Sequence, residues 1–280
     1  MKWSGDTGVA AEWPSDSVVE RMLHEVMVAA LRKSGSSQVF LELFSGSGAV
    51  AARIRAESGY TCICIDIKYG AHFDITNRKV ASMILGWISS GLIRGVWLAV
   101  PCSTWSRARW IPWRTWLHIY GIPGLKEHQK AAVLLGNKTL AFARRVINMT
   151  IKCGIPAALE NPATSQMWGE PGLRNLLNHR SSQQVVFDMC KFGTPWRKRT
   201  RIAAWHGADI SFLRRLCPSK LGRCWTGKPH IILQGRPRGG AIPWTKVAEP
   251  YPPALATDVA RWLLRSADGR SYEHLAALAC

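Results

Sequence analysis

A cysteine at the end of an apolar segment is the residue of this chain best placed to do chemistry. The run 96–100 has the composition of a buried strand, and Pro101 ends it because proline cannot continue a central strand. Cys102 follows directly, at the place where open α/β sheets hold their ligands. As a thiolate it would be a nucleophile. As a buried free cysteine it would only pack in the core, and this segment alone leaves both interpretations open.

A glycine-rich turn and two acids form a second group. The turn Phe44-Ser45-Gly46-Ser47-Gly48 follows the apolar run 39–43 and precedes a helical segment. Glycines at such a turn let the backbone approach a ligand closely. Asp66 ends the next short strand, where nucleotide-binding α/β folds contact ribose hydroxyls. Asp74 is the candidate contact on the adenine side, although a lone Gly-x-Gly also occurs at turns that bind nothing.

A carboxylate and several arginines complete the candidate site. The apolar run 155–159 predicts a fourth strand that ends at Glu160, so two strand ends at one edge of the sheet carry a cysteine and a carboxylate. Arg199 and Arg201 belong to the basic segment 192–201, which we predict to be a turn before the strand 202–205. Beside such a site, arginines are suited to binding phosphate. The alternative is an ordinary solvated run of charge.

The segment 206–245 differs from the rest of the chain, because it is rich in glycine, proline and basic residues and has little helical pattern. Two histidines and two cysteines fall within it: His206, Cys217, Cys224 and His230. Four such ligands suit one tetrahedral zinc ion, which would order a segment with little core of its own. No Cys-x-x-Cys pair is present, so unligated residues are the alternative.

Alternating apolar runs and helical segments must position these groups. They predict an α/β fold with a mostly parallel sheet flanked by helices. Predicted helices cover about 15–33, 77–90, 126–151 and 251–265, and predicted strands about 39–43, 61–65, 91–100, 155–159, 185–188 and 202–205. We divide the chain into an N-terminal tail and helix (1–37), a catalytic domain (38–205), a small recognition region (206–245) and a C-terminal helix that returns to the catalytic domain (246–280).

Composition limits the classes of protein and partner. The 280 residues carry a formal net charge of +19, which favours a polyanionic partner, most simply nucleic acid. Eight cysteines are too few for a disulfide scaffold. No apolar run approaches the roughly 20 residues of a membrane-spanning helix, and no signal peptide is evident, so we expect an intracellular protein with no membrane partner. The aromatic and basic segment 103–125, with Gly121 and Gly124 as hinges, is predicted to be a closing lid.

The order and spacing of these blocks resemble the DNA (cytosine-5) methyltransferases. The matching blocks are Glu42–Gly48 for the S-adenosylmethionine motif, Asp66 and Asp74 for its two acids, Pro101-Cys102 for the catalytic pair, Ser106 for a serine that follows it, Glu160-Asn161 for the Glu-Asn block, Arg199-x-Arg201 for the Arg-x-Arg block and Pro252–Ala256 for the last motif. The amino-acid sequence of these blocks is most similar to that of enzymes carried on eukaryotic retroelements, notably those of dinoflagellates. Two blocks depart from the pattern: Trp196 replaces a glutamine, and Glu249-Pro250-Tyr251 replaces a Gly-Asn pair.

The resemblance implies a Rossmann-like, S-adenosylmethionine-dependent methyltransferase fold with a small target-recognition insertion. It implies a monomeric enzyme, nuclear if eukaryotic, that flips a cytosine out of double-stranded DNA, with CpG as the target. Cys102 would attack carbon 6, Glu160 would contact N3, and Arg199 or Arg201 would bind the oxygen at position 2. The implied cofactor contacts are Phe44, Ser45, Gly46, Gly48, Asp66, Ile67, Asp74, Ile75 and Pro101. The implied DNA contacts are Ser103, Ser106, Arg107, Arg109, Arg197 and Lys198.

Three other functions remain as hypotheses. A related subfamily uses the same chemistry on cytosine in tRNA. A non-catalytic DNA-binding protein could share the fold, although the presence of Cys102 and Glu160 argues against it. A methyltransferase for a small molecule is disfavoured by the net charge of +19.

Overall fold

A computed structural model of the protein describes residues 15–107, 112–219 and 223–278. Its helices are α1 (Asp16–Ser34), α2 (Ala49–Ser58), α3 (Arg78–Ser89), α4 (Glu127–Lys152), α5 (Pro171–Leu177), α6 (Trp244–Val247) and α7 (Pro253–Leu278). Its strands are β1 (Val39–Leu43), β2 (Cys62–Ile65), β3 (Ile93–Leu98), β4 (Ala157–Pro162), β5 (Ser182–Asp188) and β6 (Arg199–Trp205). Within the described ranges, no helix combines the length and the apolar character needed to cross a membrane.

The six strands form one sheet in the order β2-β1-β3-β4-β6-β5. Strands β1 to β4 pair in parallel, whereas β6 runs antiparallel to both of its neighbours, β4 and β5. Helices lie between successive parallel strands, as right-handed βαβ units require. The predicted fold class, a Rossmann-like α/β fold with a mostly parallel sheet flanked by helices, is confirmed.

Both faces of the sheet are covered, which explains why its central strands are apolar throughout. Phe40, Trp97 and Ala158 face one layer, where they pack with buried residues of α2 and α7. Leu41 and Leu159 face the other layer, where they pack with α1, α3 and α4. The alternation of side chains along each strand therefore sorts one apolar run into two separate cores.

Two segments differ from the sequence prediction. The basic segment was predicted to be a turn up to residue 201, but Arg199 already begins β6 and pairs with Asp188 of β5. Since β6 has a strand on each side, backbone hydrogen bonds stabilise a segment whose side chains alone suggest a loop. Helix α7 continues to Leu278, beyond the predicted end near residue 265.

The order of the strands places the loops that carry the candidate site. From β1 the chain moves to β2 on one side, and the next strand, β3, lies on the other side of β1. Such a reversal opens a crevice at the carboxyl ends of the strands, where α/β folds bind ligands. The turn 44–48 after β1 and the segment 99–107 after β3 border this crevice.

Candidate active site

Cys102 lies in a short turn that is fixed by its own backbone. Its carbonyl oxygen accepts hydrogen bonds from the amides of Trp105, at 3.0 Å, and Ser106, at 2.9 Å. The indole of Trp105 is fully buried and anchors the turn in the core. The side-chain amide of Asn161 donates to the carbonyl oxygen of Val100 at 2.7 Å. Asn161 thereby ties the end of β4 to the chain just before Cys102, which brings the two predicted strand ends together.

Glu160 is a buried carboxyl whose two oxygens have different surroundings. Its Oε2 accepts a hydrogen bond of 2.7 Å from the hydroxyl of Tyr251. Its Oε1 is buried and has no hydrogen-bond partner among the residues that the structure describes. Burial raises the pKa of Glu160, and the charge of Lys198 and the Tyr251 hydrogen bond oppose this only in part. The carboxyl is therefore disposed to hold a proton and to present a free oxygen.

Cys102 and Glu160 lie within each other's electrostatic field. Burial raises the pKa of the Cys102 thiol, Lys198 lowers it, and Glu160 raises it further. The surroundings of Cys102 therefore favour the protonated thiol over the thiolate. Lys198 is the cation that favours the charged form of both groups. Its ammonium is held in place by a hydrogen bond of 3.1 Å to the carbonyl oxygen of Ala248.

The two arginines that were assigned to the cytosine ring are engaged elsewhere. Arg199 binds Asp188 through two hydrogen bonds of 2.9 Å. Arg201 donates to the side-chain oxygen of Gln184, and its guanidinium lies 4.7 Å from the ring centre of Trp168. The strand register explains this placement.

Glu160 pairs with Ile202 in the register of β4 and β6, whereas Arg201 pairs with the next residue, Asn161. Neighbouring residues of a strand face opposite sides of the sheet. Glu160 and Arg201 therefore point to opposite faces, and the structure places Lys198 beside the thiol and the carboxyl instead. The role of the arginines at the oxygen of position 2 stays a prediction.

The glycine-rich turn has the backbone that its sequence requires. Phe44, Gly46 and Gly48 all have positive φ angles, of 56°, 52° and 68°. This left-handed conformation costs glycine little but strains Phe44. The amide of Gly48 closes the turn on the carbonyl oxygen of Ser45 at 2.8 Å, and α2 begins at the next residue. Turns of this kind present backbone amides to anionic groups.

The two predicted acids have part of their hydrogen-bonding capacity unused, and Asp66 lies next to this turn. Asp66 accepts the amide of Gly46 at 2.9 Å on one oxygen and that of Lys68 at 3.0 Å on the other. Asp74 likewise accepts the amide and the hydroxyl of Thr76, at 2.8 and 2.9 Å. Each carboxylate oxygen can accept a second hydrogen bond. Both acids therefore fit contacts with a ribose diol or an adenine amine.

The other predicted cofactor contacts differ in exposure. Ile67 is 55% exposed and Ile75 only 8%. Pro101 is exposed next to Cys102, and Ser45 is buried within the turn. Ile67 and Pro101 therefore offer apolar surface that a ligand can cover.

Glu42 is a buried acid within the Glu42–Gly48 block, and the sequence analysis predicted no role for it. Its Oε2 accepts the amide of Ala51 in the first turn of α2 at 2.7 Å. Burial raises its pKa to about 7, although the amides of Ala51 and Val50 and the charge of Lys68 oppose the shift. Glu42 thus supports the helix start beneath the glycine-rich turn.

The segment 103–125, whose role as a closing lid stays a prediction, is anchored at its centre by Arg114. Arg114 is buried, and its guanidinium lies 3.5 Å from the ring centre of Trp105. Its N–H groups donate to Thr104 O and Oγ1, Ile119 O, Asn137 Oδ1 and Val133 O. Gly121 and Gly124 do have positive φ angles, but they follow a segment that Arg114 fastens to α4. The sequence did not reveal this role of Arg114, because all of its hydrogen-bond acceptors are neutral and no pattern of charge points to them.

The rim of this segment is exposed and apolar. Leu117 is 91% exposed and Trp116 is 61% exposed. The guanidinium of Arg107 lies 5.6 Å from the ring centre of Trp116. Arg109 lies outside the described residues.

The remaining predicted DNA contacts lie at the surface. Ser103 is exposed and Ser106 is half-buried next to Cys102. Arg197 and Lys198 border an open groove together with Arg223. The other residues that line this groove are Ser219, Pro229, His230, Ile231, Ile232 and Leu233. Basic side chains along one groove suit a phosphate backbone.

Three of the four predicted metal ligands lie together, and Cys190 replaces the fourth, His206. The ligand atoms of Cys190, Cys217, Cys224 and His230 all lie within 4.8 Å of one another. His206 is not in this cluster; the centre of its ring lies 6.0 Å from that of His179, with the two rings tilted by 53°. Cys190 takes its place because the turn after β5 lies against Cys217 and the loop 223–230. The sequence carries no spacing signal for Cys190.

No protein-family model matches the chain, and no curated protein matches it. The similar solved structures include a mutant of Spodoptera frugiperda DNMT2, at 15% identity, with 60% of this chain and 50% of that chain covered and a TM-score of 0.35. They also include Entamoeba histolytica methyltransferase EhMeth, at 15% identity, with 64% of this chain and 57% of that chain covered and a TM-score of 0.36. The chain thus spans about half the length of the structures that it matches.

Proposed function

We propose that this protein transfers a methyl group from S-adenosylmethionine to carbon 5 of cytosine in double-stranded DNA. The observation that carries the proposal is the pairing of Cys102 with Glu160. A nucleophilic thiol after β3 lies in the field of a buried carboxyl with a raised pKa and an oxygen without a partner among the described residues. A thiol and a protonated acid in this arrangement suit addition to an electron-poor ring.

The reaction requires both groups because carbon 5 of cytosine is a weak nucleophile. The Cys102 thiol would give its proton to water and its sulfur would bond to carbon 6, while the electron pair of the ring double bond would move toward N3. Glu160 would donate its proton to N3, which leaves carbon 5 as an enamine carbon. After methylation, carbon 5 would lose its proton to water, the carbon–sulfur bond would break as the ring double bond returns, and N3 would give its proton back to Glu160.

Lys198 assists both charge changes. Its ammonium favours the thiolate form of Cys102 as the bond to carbon 6 forms. It also favours the carboxylate that Glu160 becomes once its proton has passed to N3. A single cation thereby stabilises the product of each proton movement.

The crevice beside the glycine-rich turn would hold the cofactor. The backbone of Phe44–Gly48 would receive its carboxylate end, and Asp66 and Asp74 would receive the ribose and adenine. Bound there, S-adenosylmethionine supplies an electrophilic methyl group. The unused lone pairs of Asp66 and Asp74 support this assignment.

Charge supports nucleic acid as the substrate. The chain carries a net charge of +19, and Arg197, Lys198 and Arg223 lie along a groove next to the site. Since Cys102 and Glu160 are largely buried, the cytosine must leave the base stack to reach them. Cytosine in RNA is the second candidate, because the same thiol and carboxyl act on the same ring.

Transfer of labelled methyl groups distinguishes these possibilities. Purified protein is incubated with labelled S-adenosylmethionine and either duplex DNA or tRNA, with Cys102→Ala as the control. We expect label in DNA with the wild type only. Label confined to tRNA would replace DNA with RNA as the substrate. DNA binding by both proteins without any label would support a non-catalytic binding protein. Sequencing of the methylated DNA would then identify the target dinucleotide.

A further inference from the structure

We propose that Cys190, Cys217, Cys224 and His230 form a Cys₃His zinc centre that fastens the loop 223–230 to the end of strand β5. The inference is independent of methyl transfer. Its first support is that four soft ligand atoms, from three thiols and one imidazole, gather within 4.8 Å. Three sulfurs and one ring nitrogen are a common ligand set of structural zinc sites.

The separations of the ligand atoms fit one metal ion. The Sγ atoms of Cys217 and Cys224 lie 3.9 Å apart, and Sγ of Cys217 lies 3.8 Å from Nε2 of His230. Bonds of about 2.3 Å to sulfur and 2.0–2.1 Å to nitrogen, in a tetrahedron, separate ligand atoms by about 3.5–3.8 Å. A disulfide would require about 2.05 Å between the sulfurs. The cysteines are thus spaced as ligands of a shared ion.

The backbone at Cys190 and Cys217 is held in place independently of any metal. Cys190 belongs to a 3-10 turn, Met189–Phe192, which follows β5 directly. The amide of Cys217 donates to Oδ2 of Asp188, the last residue of β5, at 2.8 Å. Two ligands are therefore fixed to the end of the same strand.

The other two ligands lie on a closed loop. The amide of Cys224 donates to the carbonyl oxygen of Lys228 at 2.7 Å, and the amide of Gly227 donates back to Cys224 at 2.9 Å. An isolated antiparallel β-bridge joins Arg223 to Pro229, and the ligand atoms of Cys224 and His230 lie within 4.8 Å of each other. This loop presents the sulfur of Cys224 and the imidazole of His230 toward Cys190 and Cys217.

Side chains around the cluster suit bound thiolates. The indole N–H of Trp225 donates to the carbonyl oxygen of Cys190 at 3.4 Å, and Lys191 lies 4.2 Å above the same indole. Three thiolates and one zinc ion carry one net negative charge, which the cation of Lys191 helps to balance.

The segment that carries Cys224 and His230 needs a source of stability other than a core. Trp225 is 54% exposed and Ile232 is 72% exposed, so its large apolar residues bury little surface. A metal ion supplies folding free energy where apolar burial is small. The amide of Ile231 also donates to the carbonyl oxygen of Pro195 at 2.9 Å. The zinc centre thereby sets the position of the basic groove that contains Arg197 and Lys198.

The metal content of the purified full-length protein, prepared without a histidine tag, tests the proposal. We expect one zinc ion per chain by elemental analysis, and loss of thermal stability when a strong chelator removes it. Cobalt substitution should give the visible absorption of a tetrahedral ion with sulfur-to-cobalt charge transfer. Folded protein with a zinc content near zero, whose melting temperature a chelator does not change, would overturn the proposal. Cobalt spectra without the charge-transfer band would also overturn it.

Matched variants identify the ligands. His230→Asn and Cys224→Ser should lose zinc, whereas His206→Asn and Cys153→Ser should retain it. Asparagine tolerates the positive φ of His206, which is 49°, and Cys153 is an exposed cysteine remote from the cluster in sequence. Zinc loss from His206→Asn together with retention by His230→Asn would refute the assigned set. If the ligand variants do not fold, the wild-type zinc content and cobalt spectrum decide the question.

Discussion

The hydroxyl of Tyr251 donates a hydrogen bond of 2.7 Å to Oε2 of Glu160 across 91 residues of chain. Tyr251 lies edge-on to the ring of Trp97, with the ring centres 5.8 Å apart, so the hydroxyl has little freedom to move. The turn before α7 thus holds one oxygen of the buried carboxyl and leaves the other without a partner among the described residues. Tyr251 is a positioning residue for Glu160. It is one of the residues at which this sequence differs from the last motif of the DNA (cytosine-5) methyltransferases.

Replacing Tyr251 with phenylalanine tests this relationship. Because the Tyr251 hydrogen bond lowers the pKa of Glu160, its loss should raise that pKa further. We expect methyl transfer in Tyr251→Phe to be slower by about 10-fold, as for one lost hydrogen bond to a charged group. The alkaline limb of its pH profile should move to higher pH, since Glu160 stays protonated longer. Tyr60→Phe serves as the control, and a limb that moves to lower pH would contradict the assignment.

Lys198 should control the ionisation of Cys102. Its charge lowers the pKa of the thiol, so Lys198→Gln should raise that pKa, and Lys198→Arg should largely restore it. The rate of alkylation of Cys102 by iodoacetamide, followed by peptide mass spectrometry as a function of pH, measures the shift. A pH dependence that is the same in all three proteins would show that Lys198 does not act on the thiol.

Glu42 should make the protein less stable as the pH rises through the acid range. Its pKa is raised to about 7 in the folded state, against 4.5 for the ordinary group, so the folded protein keeps a proton that the unfolded chain releases. The stabilisation is complete below pH 4.5 and is lost as the pH rises to about 7. The free energy of unfolding of the wild type, relative to Glu42→Gln, should therefore fall by about 3 kcal/mol over this window.

Denaturant unfolding of both proteins at several pH values checks this prediction. Cys62, Cys64, Lys68 and Tyr251 interact electrostatically with Glu42. These four groups are present in both proteins, so their own titration largely cancels in the difference. A difference that grows with pH would contradict the assigned direction.

Arg114 should be essential for the stability of the segment 103–125. Its buried guanidinium donates five hydrogen bonds, whereas a lysine has only three donors and no planar group to lie against Trp105. We expect Arg114→Lys to lower the free energy of unfolding by about 2–4 kcal/mol. Arg145→Lys, at an exposed position of α4, should change it by less than about 0.5 kcal/mol. Equal effects of the two substitutions would contradict this role.

The parts of the site that follow directly from local sequence are the strand ends. Apolar runs that stop at Pro101 and Glu160 place Cys102 and Glu160 at one edge of a parallel sheet, because parallel strands share a carboxyl-end edge. The glycine-rich turn was equally predictable, since glycine is required where φ is positive. These features depend on residues that are close together in the chain.

Contacts between distant residues escaped prediction. The sequence does not show that β6 lies between β4 and β5, and this placement is what directs Arg201 away from Glu160. Cys190 reaches the metal cluster only because β5 ends beside Cys217. No periodicity or spacing records such a tertiary contact, so a residue from one element can replace a predicted ligand from another.

Covalent trapping tests the central claim most directly. Duplex DNA that contains 5-fluorocytosine is incubated with the protein and S-adenosylmethionine, and adducts stable to denaturation are mapped by peptide mass spectrometry. Fluorine at carbon 5 prevents the final proton loss, so the bond between the Cys102 sulfur and carbon 6 should persist. We predict a wild-type adduct on the peptide that carries Cys102 and none with Cys102→Ser. A stable adduct with Cys102→Ser, or one mapped to another cysteine, would contradict the account.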